Sequence, residues 1–431
     1  MSVKKTNIYT FVFLILVIGF SYGLLSCGKL NEAALITDSS DTSDTSTTTP
    51  TVSSSQLTSF VGPDSVDLSW TDSVGTDRTE YMVRRSSTVI PRTIFQGDTI
   101  YSGYSKSFSD TTMSTSTSYH YSIFKRASGA NWSYLVSQDY RVPSYSESLA
   151  SFVVSLNAYV DARNGSDFYV VFTGENGVLS VTGATSGTLD DTFVNVIDGI
   201  LQKSVYYGPT DNNYVSDIDR STHETFLNRL KNNSKKVMVV DYVTSPGTIS
   251  NSYTSANAQN YISMQRPDTL ATNQLPDYSH QSPNQSTVIS SLSGVSNFFF
   301  DEGFLNTGLI DRLNLSTYDL VIVNPFIGSS SLNNLLNTDQ VSNLKRKGGT
   351  NASSRLVFAY VDITQISNSD YRYNASSEYY DDAVSSGSSI HKVKFWKQGW
   401  RDLMYGTDTS LMYQLEARGF DGVVINAQQH Y

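Results

Sequence analysis

Cysteine is almost absent. The 431 residues hold one, Cys27, which excludes an intrachain disulfide and thiol-pair chemistry. Histidine is scarce too. His120, His223, His280, His391 and His430 are scattered without metal-ligand spacing, so no metal is expected. No Gly-rich phosphate loop follows a strand pattern, and no other cofactor is implied. Charged residues make up 16 %, the net charge is −10 and no basic patch stands out, which argues against nucleic acid as a partner. In their place stand neutral polar residues and 28 tyrosines. Such a surface suits an exported protein, and its rings can stack on sugars; export bias alone accounts for the same composition.

The N-terminus carries the one long apolar run. Lys4 and Lys5 precede Ile8 to Leu25, and the run closes in Leu24-Leu25-Ser26-Cys27. This resembles a bacterial lipoprotein signal over residues 1–27, in which lipidated Cys27 becomes the mature N-terminus. The alternative is a plain transmembrane anchor, since the run approaches the ~20 residues needed to span a bilayer. Gly28 after the cysteine points to the outer membrane or cell surface. Residues 28–56 are Ser, Thr and Asp with little to pack, a flexible tether. A chain of that length spans roughly 30 Å root-mean-square.

From 57 to 143 short alternating strands are separated by turns, as in Val66-Asp67-Leu68-Ser69-Trp70 and Tyr119-His120-Tyr121-Ser122-Ile123-Phe124. The segment resembles a fibronectin type III sandwich, an all-β fold. Trp70 would be its core tryptophan and Tyr119 or Tyr121 its corner tyrosine. Spacer is the expected role, adhesion the alternative.

From 145 to 431 strand-like and helix-like segments alternate, the pattern of an α/β fold with a parallel sheet. Strands are expected at 168–172, 193–197, 236–242, 261–264, 297–300, 318–323, 355–363 and 420–425, and helices at 146–163, 222–232 and 400–418. Eight strands is the number a closed (β/α)8 barrel needs, with its chemistry at the strands' C-terminal ends.

Two blocks of this region resemble the polygalactosaminidase-like barrels of glycoside hydrolase family 114, in reversed order. Residues 293–431 carry motifs similar to the family's opening half: Tyr318-Asp319-Leu320-Val321-Ile322-Val323, Leu356-Val357-Phe358-Ala359-Tyr360-Val361-Asp362-Ile363, Val393-Lys394-Phe395-Trp396 and Gly419 to Asn426. Residues 145–268 carry motifs similar to the closing half: Asp167-Phe168-Tyr169-Val170-Val171 with Glu175-Asn176-Gly177, Val196-Ile197-Asp198-Gly199-Ile200, and Lys236-Val237-Met238-Val239-Val240-Asp241-Tyr242-Val243. The resemblance implies a circularly permuted TIM barrel in which residues 269–292 link the old ends. The rival account is two unrelated α/β pieces.

The resemblance also implies acids that this chain lacks. Asn324, Gln365 and Asn426 stand where the family has carboxylates, and Lys203 falls where its other acid is expected. Amides keep the shape of a carboxylate but exchange no proton at neutral pH. Asp362 and Asp241 are the pair expected to act if the barrel is catalytic; Glu175, Asp198, Asp301 and Glu302 are further acids near strand ends. The expected cleft is lined by Asn426, Gln365, Asn324, Lys203, Asp241, Asp362, Tyr360, Tyr242 and Glu175. Three functions stay open: binding of an amino-sugar-containing polysaccharide with little hydrolysis, an active exported hydrolase, and a structural or adhesive surface protein.

Overall fold

The computed structural model describes residues 56–72, 78–164, 167–174, 176–182, 184–267, 275–276 and 288–427. Cys27, the apolar run, nearly all of the tether, Glu175 and most of the expected linker lie outside the described residues.

Period-two alternation builds the first layer pair. Strands β1 (Leu57–Val61), β2 (Val66–Trp70) and β5 (Ser107–Asp110) form one antiparallel sheet in the order β1-β2-β5. Strands β3 (Glu80–Ser86), β4 (Asp98–Gly103), β6 (Ser118–Arg126) and β7 (Ser133–Arg141) form a second, ordered β4-β3-β6-β7. Val66, Leu68 and Trp70 are buried while Asp67 and Ser69 turn outward, the signature of a strand with one covered face. Trp70 meets Tyr81 of the other sheet edge-to-face at 5.6 Å. Tyr121 is wholly buried and its hydroxyl donates to Asp110 Oδ2 at 2.7 Å.

After the sandwich, the described residues include eight parallel strands of one sheet: β8 (Tyr169–Gly174), β9 (Gly199–Lys203), β10 (Lys236–Tyr242), β11 (Ile262–Arg266), β12 (Phe298–Asp301), β13 (Leu320–Val323), β16 (Leu356–Asp362) and β20 (Gly422–Ala427). Their order in the sheet is β11-β10-β9-β8-β20-β16-β13-β12. The sheet curls into a near-closed barrel whose seam lies between β11 and β12. No ladder joins those two strands; Arg266 Nη1 donates to the Phe300 carbonyl at 2.9 Å, and Met264 Sδ accepts the Phe300 N–H at 3.1 Å. Gly422 lets β20 come close to β8, since a Cβ there would stand 2.5 Å from the Tyr169 carbonyl. Two small excursions complete the fold: a hairpin of β14 (Arg346–Lys347) and β15 (Thr350–Ser354), and a sheet of β17 (Gln365–Ser367), β18 (Tyr380–Ala383) and β19 (Ile390–Val393) that follows β16.

Two expected elements differ. Residues 193–197 fall in and just beyond a short helix, Asp191–Asn195, because the Asp190 side chain caps it by accepting from the N–H groups of Thr192 and Phe193. The strand begins six residues later than expected, at Gly199. The single helix expected at 400–418 is two, Gln398–Met404 and Leu411–Ala417, separated by a turn in which Gly406 has a φ of +102°.

The sandwich is joined to the barrel through the β1–β2 turn. Trp396 Nε1 donates to Asp64 Oδ1 at 2.7 Å. Lys397 Nζ donates to Asp67 Oδ2 at 2.9 Å and lies 5.1 Å over the Phe60 ring. Gly62 admits the Trp396 indole, which a Cβ would meet at 2.6 Å.

Candidate functional site

Strand parity decides which side chains reach the barrel mouth. Lys203 of β9 is paired in register with Val240 of β10, and its ammonium lies 5.2 Å from the Phe300 ring centre and 5.5 Å from that of Tyr360. Those rings meet each other across the lumen at 5.3 Å. Lys203, Val240, Phe300 and Tyr360 therefore point inward, and so do residues two places away from each along its strand. This puts Asp362 inward on β16 and Asn426, its register partner, inward on β20. The lumen below is packed with side chains, and space opens above it at the C-terminal ends of the strands.

There the C-terminal ends of β12, β13, β16 and β20 surround a cleft of about 360 Å³. Asn324, Tyr360, Asp362, Gln365 and Asn426 line it, as the sequence reading expected of these five. Glu302, Phe304, Asp370 and Arg372 line it as well.

Asp362 is the best-held acid of the group. Its Oδ1 accepts the N–H groups of Thr364 at 2.9 Å and Gln365 at 2.8 Å, and the Thr364 hydroxyl at 3.2 Å. Its Oδ2 accepts Asn426 Nδ2 at 2.6 Å. Burial pushes the carboxyl above its ordinary range, and these bonds offset the shift only in part. With its nitrogen donating to Asp362, the Asn426 amide keeps Oδ1 as its acceptor atom. Tyr360 is raised well above the usual phenol range by burial and by the nearby Glu302 and Asp362 carboxyls.

The other two cleft acids are paired with cations. Lys203 Nζ meets Glu302 Oε2 at 2.5 Å, a bridge from β9 to the end of β12. Asp370 receives Arg372 through Nε at 2.9 Å and Nη2 at 2.8 Å, with both side chains buried. Asn324 is spent on the backbone, donating to the Glu302 carbonyl at 3.1 Å and accepting the Phe326 N–H at 3.1 Å.

Asp241 is placed elsewhere. It is fully buried, and by parity it faces away from the lumen, toward helix Pro246–Ala258. Its Oδ1 accepts the N–H groups of Val205, Tyr206 and Tyr207 at 3.0, 3.0 and 3.3 Å, and its Oδ2 accepts the hydroxyl of Ser252 on helix Pro246–Ala258 at 2.6 Å. The expected pairing of Asp241 with Asp362 across one cleft is not formed: the two stand on strands separated by β9, β8 and β20, and face opposite ways. Tyr242 faces inward but is not among the residues lining the cleft. Lys203 reaches the cleft through Glu302 rather than lining it. Asp301 is buried and accepts the Gly303 N–H at 2.9 Å, a turn contact. Asp198 stands just before β9, at the barrel's opposite end. Glu175 lies outside the described residues.

Sequence reasoning missed Asp370 and Arg372. Their two-residue spacing carries no periodic signal, and only the fold of the excursion after β16 brings them over the mouth. Phe304 was missed too; it is 38 % exposed and offers the cleft an aromatic face.

The chain matches no family model and no curated protein. Among solved structures it is similar to a β-1,2-glucanase from Parabacteroides distasonis, at 13 % identity over 24 % of this chain and 15 % of that one, with a TM-score of 0.18. It is also similar to a β-glucuronidase from an uncultured Clostridium species, at 9 % identity over 87 % of this chain and 61 % of that one, with a TM-score of 0.25. A third is a pectate lyase from Erwinia chrysanthemi in complex with tetragalacturonic acid, at 9 % identity over 86 % of this chain and all of that one, with a TM-score of 0.19.

Proposed function

We propose that the barrel binds a polysaccharide, one containing amino sugars, with little or no hydrolysis. The observation that carries this reading is the state of the cleft acids. Asp362 is held by backbone N–H groups and Asn426, Glu302 by Lys203, and Asp370 by the Arg372 fork. Glycosidic cleavage asks for one carboxyl to give a proton and a second, free one to attack or to activate water. A cleft of held acids, one amide acceptor at Asn426 and an exposed ring at Phe304 is suited to gripping hydroxyls and a sugar face.

The hydrolase reading is favoured by one feature: Asp362 is raised by burial, as a general acid must be, and shares its cleft with Glu302. One experiment separates the two. Reducing-end release from surface polysaccharides is measured beside binding, for wild type and for an Asp362→Asn, Glu302→Gln double variant. Binding without release supports the first reading; release that the double variant abolishes establishes the second; neither binding nor release leaves a scaffold.

The finer architecture belongs to the same proposal. The sandwich is a fibronectin type III-like module, supported by its three-plus-four strand arrangement. The barrel is a circularly permuted relative of glycoside hydrolase family 114, supported by a seam that falls between the fourth and fifth barrel strands in chain order. Cys27 carries lipid and tethers the chain to the bacterial cell envelope, at the outer membrane or cell surface. Labelled fatty acid incorporated by wild type and not by Cys27→Ser checks the anchor.

A further inference from the structure

At the end of the barrel opposite the cleft lies a second cavity, of about 470 Å³, lined by the starts of β8 and β10 and by the turn that leads to β12. Lys231, Lys235 and Lys236 converge on it, facing Ser291, Ser293 and one acid, Asp198. Three ammonium groups against one carboxylate is a local excess of positive charge in a chain whose net charge is −10.

Two of the lysines are anchored by carbonyls rather than by counter-ions. Lys231 Nζ donates to the Gln259 carbonyl at 2.7 Å and lies 5.4 Å over the Tyr261 ring. Lys236 Nζ donates to the Val295 carbonyl at 2.5 Å. Lys235 Nζ makes no hydrogen bond and no ion pair within 4 Å among the described residues, and Asp198 acts on it from a longer distance. Each ammonium carries three donors, so the anchored two retain N–H groups for a further acceptor. Asp198 acts on Lys235 as the one opposite charge lining the cavity. Burial pushes its carboxyl up, with the Val170 N–H bond to Oδ2 at 2.7 Å and the nearby Lys235 opposing the shift. One carboxylate stands against three ammonium groups. Asp319, the next acid toward Lys236, is bound to the buried Lys347 at 2.5 Å. Burial pushes Lys235 and Lys236 down, and the carboxylates of Asp198 and Asp319 offset that only in part.

We propose that this cavity is an oxyanion site, taking a phosphate or sulfate group on Lys235 with support from Lys231, Lys236 and the Ser291 and Ser293 hydroxyls. Lysine binds such groups as a point charge, and hydroxyls supply the remaining bonds to a tetrahedral anion. The site is independent of the cleft and of the function proposed for it. The anion could be free or could be the headgroup of a lipid or glycolipid; both share the chemistry.

The test is calorimetry of the full-length chain with inorganic phosphate and with sulfate at low ionic strength. Saturable binding is expected, weakened about tenfold or more in Lys235→Gln, the effect of losing one charge-assisted bond. Lys235→Arg should retain it, and Lys203→Gln in the cleft should leave it unchanged. Co-sedimentation with vesicles separates the sources: Lys235-dependent binding to phosphatidylglycerol vesicles and not to phosphatidylcholine ones assigns the anion to a headgroup, and phosphate binding without vesicle binding assigns it to a soluble ion. No saturable binding by wild type, or binding that Lys235→Gln leaves intact, overturns the proposal.

Discussion

Asp241 and Asp362 occupy matching places on two strands of one barrel, and the two rims use them in opposite ways. At the β10 rim the aspartate is turned outward and shut in. It gathers three backbone N–H groups of the loop after β9 and ties them to helix Pro246–Ala258 through Ser252. At the β16–β20 rim the aspartate is turned inward and still reaches the cleft, with Asn426 beside it. One residue of strand phase separates a structural acid from a site acid, since the side-chain period of a strand is two. A strand-end carboxylate is therefore read by its parity before its position.

The contrast can be broken at either rim. The largest effect is expected at the outward one: Asp241→Ala leaves three backbone donors unmet in a buried place and should cost about 3 kcal/mol of stability in urea unfolding. A loss under ~0.5 kcal/mol would mean that the loop finds other acceptors.

Next comes the joint that holds the sandwich to the barrel. For Asp67, burial works against ionisation, but Lys397 and the Ser109 and Ser65 hydroxyls outweigh it and hold the carboxyl below its ordinary range. Asp67→Asn should cost about 1–2 kcal/mol, the pair being partly open to solvent. A depressed carboxyl stabilises the folded state above its unfolded value, so wild type should lose its advantage over the variant as pH falls below about 4.

At the inward rim, Asn426→Asp sets a second carboxyl where an amide now donates at 2.6 Å. The two acids cannot both ionise there, so the variant should lose about 1–2 kcal/mol at neutral pH and recover it on acidification. Equal loss at every pH would point to packing instead.

Asp362 itself gives a signed test. Its carboxyl is raised in the folded state, so its contribution is present below the ordinary carboxylate value of 3.8 and is lost as pH rises through the raised one. Wild type should therefore lose stability relative to Asp362→Asn as pH climbs from about 4. The smallest effect on stability is expected of Lys203→Gln, within about 0.5 kcal/mol because its bridge to Glu302 is partly exposed. Its effect should fall on glycan affinity, read by titration.

Much of this arrangement was legible in the chain. Apolar runs such as Leu320-Val321-Ile322-Val323 and Val423-Val424-Ile425 suit strands covered on both faces, and all eight barrel strands save one lie where those runs placed them. The exception, 193–197, is apolar enough for a strand, but the Asp190 cap claimed its backbone first. Five of the expected cleft residues line the cleft, because polar residues at strand ends announce the rim whatever their task.

The sequence by itself determined the layers, from the period-two stretch of Val66 to Trp70 through the alternation of strands and helices after residue 145, because burial of apolar faces depends on local pattern. Which acids share a space was decided only by the tertiary structure. The inward turn of Asp362, the outward turn of Asp241, the Lys203–Glu302 bridge across the mouth and the Asp370–Arg372 pair above it depend on strand phase and on chain segments distant in sequence. No local pattern encodes those relations.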